Sequence, residues 1–122
     1  MKKTLLALTI ALSLSACASN PYDLDSSVYY YQLNNTPITI SFDSDANRFS
    51  GKVVNNYFGT YEQHENSVTL HPLGATMMMG PENAMQAEQE WMQILLHVKN
   101  IQQIDNHLIF TLSNGTKIRL VK

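Results

Sequence analysis

Cysteine is almost missing from this chain: Cys17 is the only one in 122 residues. No intramolecular disulfide can form, so the domain has to hold together by burial. A basic stripe is missing too. Eight Lys and Arg stand against ten Asp and Glu, a formal charge of −2, which argues against nucleic acid and against direct attraction to anionic lipid. The longest apolar run, Thr4 to Leu14, is about half of the ~20 residues that span a bilayer. Gly-x-Ser-x-Gly, a Gly-rich phosphate loop and Cys-x-x-Cys do not occur, so no nucleophile elbow, nucleotide cradle or dithiol centre is marked. His64-Glu65 opens like a zinc-protease helix but has Val68 where the second His is required. These absences point to a non-enzymatic protein with no cofactor and no metal.

What is present begins with an address. Lys2 and Lys3, the apolar run, and then Leu14-Ser15-Ala16-Cys17 form a bacterial lipoprotein signal. Residues 1–16 are expected to be removed and Cys17 acylated on its thiol and its new amine. Several acyl chains anchor stably where a single one would not. Ala18 stands where inner-membrane retention often places Asp, so an outer-membrane anchor facing the periplasm is expected. Acylation consumes Cys17, which excludes a catalytic thiol and a thiolate metal site. The mature chain of 106 residues, with a charge of −4 after loss of Lys2 and Lys3, is enough for one small domain. Residues 17–27 are polar and read as a lipidated tether, and residues 28–122 as the domain.

From Val28 the pattern is that of strands. Val28 to Leu33 is aromatic-rich, and Ile38, Ile40 and Phe42 alternate with Thr39 and Ser41. Phe49 to Val54 returns after a turn cluster at Asp43 to Asn47, and Gly51 within it marks a bulge or a close backbone approach. Tyr57 to Gln63 and Val68 to Leu73 follow, joined by a turn at His64-Glu65-Asn66. Leu108, Phe110 and Leu112, then Ile118 and Leu120, alternate around Asn114-Gly115, which predicts a hairpin with a type I′ turn. One segment is helical. Pro81 suits a helix start, and Ala84, Met85, Ala87, Trp91, Met92, Leu95 and Val98 share one face. The expectation is α+β: a strongly curved antiparallel sheet of roughly six to eight strands with a helix over Pro81–Val98 packed on it.

Several residues stand out against that frame. Glu88 falls on the apolar helix face, where a carboxylate is costly unless paired. It is read as a structural acid taking Arg48, Arg119 or backbone N–H groups. Met77-Met78-Met79 is read as core packing or an adaptable binding surface in preference to a soft-metal site, because three successive methionines cannot converge on one ion. Met77, Met78, Met79 and Tyr57 together make the candidate interaction surface. Tyr29-Tyr30-Tyr31 puts aromatics on both faces of a strand. Asp43-x-Asp45-x-Asn47 has the start of a calcium loop, but Arg48 replaces the required Gly and Val54 the closing Glu, so a solvated turn is expected.

Three stretches together resemble the META/HslJ-like domain, a bacterial envelope family often found as small lipoproteins. They are Ile38-Thr39-Ile40-Ser41-Phe42 with Arg48-Phe49-Ser50-Gly51, then Asn55-Asn56-Tyr57-Phe58-Gly59-Thr60-Tyr61, then Thr76-Met77-Met78-Met79-Gly80-Pro81. The resemblance implies a bent antiparallel sheet closing toward a barrel, one packed helix, and roles in envelope stress, motility or drug tolerance without a shared chemistry. Val54 and Gly80 stand where the family often has cysteines, and Asn56 and Met77 where it often has arginines, so functions that depend on those groups do not transfer. The leading expectation is an envelope lipoprotein acting through contacts with an unidentified envelope protein in stress tolerance. A small-ligand carrier using the sheet as a cup, and an inhibitor presenting an acidic loop to a basic hydrolase cleft, are the alternatives.

Overall fold

The computed structural model describes residues 21–122; the leader and Cys17 lie outside the described residues. Eight strands follow one another as β1 (Tyr29–Leu33), β2 (Thr36–Asp43), β3 (Arg48–Lys52), β4 (Asn56–His64), β5 (Ser67–Ala75), β6 (Val98–Ile104), β7 (His107–Leu112) and β8 (Lys117–Val121), with α1 (Glu82–Leu96) between β5 and β6. Each strand pairs antiparallel with the next, and β8 returns to β1 through Tyr30 opposite Val121. The result is a closed barrel in simple chain order. The expected curved sheet with one helix is therefore observed, in its fully closed form, and closure removes the free edges an open sheet would expose. β6 is the strand that apolar alternation did not reveal: Lys99, Gln102 and Gln103 break its pattern, and Val98 belongs to it instead of to the helix.

Period-two alternation decides what faces inward. Ile38, Ile40 and Phe42 of β2, Tyr57 and Tyr61 of β4, and Leu108 and Phe110 of β7 are all buried. Each aliphatic or phenylalanine side chain buried in this way contributes about 1.5–3 kcal/mol relative to exposure. The interior is filled by rings. Phe42 meets Phe110 at 6.3 Å and Tyr61 edge-on at 5.5 Å. Trp91 stacks between Tyr31 at 5.8 Å and Phe110 at 6.2 Å. These rings occupy space that a carrier's cup would need.

The turns lie alternately at two ends. One end holds the β1–β2, β3–β4 and β7–β8 turns, and α1 closes it with Ala84, Ala87, Trp91 and Leu95. Pro81 caps this helix, its carbonyl accepting from the amides of Ala84 and Met85. The opposite end is closed by the stretch read as a tether. Leu24 is buried with the core, and Asp25 pairs with Lys122 at 3.1 Å. The Gln63 side chain donates to the Tyr22 carbonyl at 2.6 Å, and the Asp25 amide to Gln103 at 2.9 Å. From Pro21 onward the chain is thus part of the domain. The tether reading is corrected for these residues, because one leucine among polar neighbours has no period to announce its burial.

Turn chemistry differs from expectation in one hairpin. Asn34 and Asn35, with φ of 52° and 59°, supply the two left-handed residues of a type I′ turn between β1 and β2. At Asn114-Gly115 only Gly115 is left-handed, at φ 89°. Its amide donates to Leu112, and the Leu112 amide to Thr116 at 2.8 Å, giving a three-residue loop with glycine at its last position. The hairpin is present; its turn is one residue longer than type I′.

Candidate functional site

At the helix-closed end, four chain segments meet on two side chains. The turn after β3 brings the amides of Val54 and Asn55 toward α1, one turn above Trp91. Glu88 Oε1 accepts from both, at 3.1 Å and 2.7 Å, and Glu88 Oε2 accepts from Asn55 Nδ2 at 2.8 Å. Asn55, buried at 3% exposure, spends its remaining capacity on the methionine loop. Its Oδ1 accepts from the Thr76 hydroxyl at 2.9 Å and from the Met78 amide, and its Nδ2 also donates to the Met78 carbonyl at 3.2 Å. Thr76 completes the junction by accepting from the Asn56 amide at 3.1 Å. The expectation for Glu88 resolves in favour of backbone N–H groups, joined by an asparagine side chain; Arg48 and Arg119 take no part.

This junction holds the backbone of a loop whose side chains point outward. Met77 is 95% exposed, Met79 88% and Met78 47%. They are surface residues and not core packing. The loop backbone is held at Met78, whose amide donates to Asn55 Oδ1 and whose carbonyl accepts from Asn55 Nδ2. Flexible thioethers on a fixed backbone can adapt to a partner without the loop itself having to be ordered.

Tyr57 does not belong to this surface. It is 2% exposed, and its hydroxyl donates to the Thr39 carbonyl at 2.6 Å while accepting from Trp91 Nε1 at 2.9 Å. Burial pushes its phenol well above the ordinary tyrosine range, against a smaller opposing effect of the Trp91 N–H. Gly51 explains the approach: a Cβ there would run into the Thr39 carbonyl and the Tyr57 hydroxyl. The residue next to Tyr57 in sequence is the exposed one. Phe58, 52% exposed, projects from the outer wall because strand neighbours alternate.

Phe58 and Leu73 flank a shallow trough of about 460 Å³ on the outside of β2–β4, floored by Ser41 and Ser50. It was legible in principle, as an apolar residue out of phase with Tyr57 and Tyr61. Tyr30 and Val28 are also half-exposed, so of the tyrosine run Tyr29 faces the core, Tyr31 the Trp91 ring, and Tyr30 solvent. The Asp43 carboxylate accepts from the Asp45 and Ala46 amides, the solvated turn expected in place of a calcium loop. Among the described residues no group of three His, Cys, Asp or Glu is placed to hold a metal ion, and no helix is long and apolar enough to cross a membrane.

Comparison with known proteins agrees with this geometry. The model of the META domain family matches residues 18–122. No curated protein matches. A protein from Burkholderia xenovorans, solved by NMR, shares 19% identity over 93% of this chain and 97% of its own, with a TM-score of 0.62. A DUF4847 family protein from Bacteroides vulgatus ATCC 8482, known from a crystal structure, shares 19% identity and a TM-score of 0.54. That second similarity covers 69% of this chain and only 57% of the Bacteroides chain. At such identities these two structures speak for the fold alone.

Proposed function

This chain belongs to the META domain family, and on that premise we propose that it is a non-enzymatic, lipid-anchored envelope protein. It would act in stress tolerance by contacting a partner protein through Met77, Met78 and Met79. The single observation carrying this reading is the pair of 95% and 88% exposed methionines on a backbone fastened by Asn55 and Glu88. The anchor rests on the Leu14-Ser15-Ala16-Cys17 signal, and Ala18 after it favours an outer-membrane site facing the periplasm. The filled interior favours a contact surface over a carried ligand.

The test is crosslinking with mass spectrometry on intact cells, comparing wild type with a folded Met77→Ala, Met79→Ala double variant. A specific envelope partner present in wild type and lost in the variant is expected. No reproducible partner in wild type would sink the reading. Crosslinks mapping instead to Asp23, Asp43 and Asp45, which share a recess at the opposite end, would favour the inhibitor alternative, since that acidic end suits a basic enzyme cleft.

A further inference from the structure

Methionine sulfur is also a redox centre, and this fold sorts its methionines by access. Met85 and Met92 are half-buried on α1, with Met92 packed against the core. Met77 and Met79 are almost wholly exposed, and neither sulfur contributes to the core. Met oxidation usually harms a protein because a flexible apolar group inside a packed region becomes polar. At positions 77 and 79 that cost does not arise. The loop is held through the backbone of Met78, the Thr76 hydroxyl and the Asn55 side chain, none of which a sulfoxide would touch.

We propose that Met77 and Met79 form a reversible oxidation site that changes the polarity of the loop while leaving the fold intact. The oxidant is of the hypohalous acid or hydroperoxide class. With hypochlorous acid, the thioether sulfur gives two electrons and gains the oxygen, an S=O bond forms, the O–Cl bond breaks, and chloride and a proton leave. Reduction by a dithiol-dependent methionine sulfoxide reductase returns the thioether, with the oxygen leaving as water and the dithiol becoming a disulfide. Sulfoxides form as two epimers, each needing its own reductase, and the exposure of both side chains lets either enzyme reach them. The regulatory consequence rests on the contact reading above: a polar sulfoxide pair would no longer offer an apolar patch to a partner.

The experiment titrates the processed full-length chain with limiting hypochlorous acid and maps oxidation by peptide mass spectrometry, with the melting temperature followed in parallel. Loss of unmodified Met77 and Met79 is expected while Met85 and Met92 remain unmodified and the melting temperature holds. A mixture of the two reductases should restore both residues. Oxidation of Met92 as early as Met77, or a melting temperature that falls in step with Met77 and Met79 oxidation, would overturn the proposal. A Met77→Leu, Met79→Leu variant keeps the patch apolar and should lose the fast reaction; a fast phase that persisted would assign it elsewhere. Crosslinking of the oxidised protein separates the two readings. A partner captured equally well after oxidation overturns the switch and leaves the contact surface standing, whereas no partner before oxidation overturns the contact surface and leaves the oxidation chemistry to be judged by the mapping.

Discussion

Glu88 and Asn55 are joined by two hydrogen bonds, from the Asn55 amide to Oε1 at 2.7 Å and from Asn55 Nδ2 to Oε2 at 2.8 Å. They stand 33 residues apart in sequence, on a helix and in a strand-to-strand turn. The pair therefore fastens the helical plug to the barrel rim, and through Asn55 it also fixes the methionine loop. A carboxylate on the apolar side of a helix is tolerated here because three N–H groups solvate it in place of water.

Glu88→Gln tests that arrangement. Glutamine keeps one oxygen for the Val54 and Asn55 amides but turns an NH₂ toward the Asn55 NH₂, donor against donor. A loss of about 1.5–3 kcal/mol is expected for a hydrogen bond to a charged group. At about 4–8 °C per kcal/mol for a domain of this size, thermal melting should show it clearly. A variant that melts with wild type would mean that the junction contributes nothing.

Leu24→Ala tests the docked segment. Leu24 is 3% exposed in the core cluster, and truncating a buried leucine typically costs about 2–5 kcal/mol. Denaturant unfolding should show a lower midpoint at unchanged slope. An unchanged midpoint would return residues 21–27 to the status of a tether.

The same segment predicts how stability depends on pH. Burial opposes ionisation of Asp25, but the Ser27 N–H, the Lys122 ammonium and the Tyr29 hydroxyl outweigh it and hold its carboxyl below the usual range. A depressed folded pKa means that the unfolded chain binds the proton more readily. This contribution is complete above the unfolded value of about 3.9 and is lost as pH falls through the lower folded value. Tyr29 moves the other way. Burial and the Asp25 charge push it up to about 12, so its contribution is complete below about pH 10 and is lost as pH rises from there toward the folded value. Melting curves across the acid range should fall more gently for Asp25→Asn than for wild type; parallel curves would contradict the pairing.

Much of this molecule is local information. Alternating apolar residues sufficed for most of the strands, because a side-chain period of two selects one face whatever the neighbours are. The apolar stripe through Ala84, Trp91 and Leu95 was enough for the helix, and the order of weak motifs was enough for the family resemblance. Other features depend on groups that meet only after folding. Whether the sheet closes is decided by the pairing of its first and last strands, with Tyr30 opposite Val121. Tyr57 and Phe58 are adjacent aromatics, and only strand register puts one in the core and the other on the surface. Glu88 carries no mark of its partner, since Asn55 reaches it across 33 residues and brings the methionine loop along. Composition and short-range pattern determined the elements. The partners of polar atoms and the exposure of Met77 and Met79 were decided by the closed barrel, because hydrogen bonding and burial depend on distance in space, not on order in the chain.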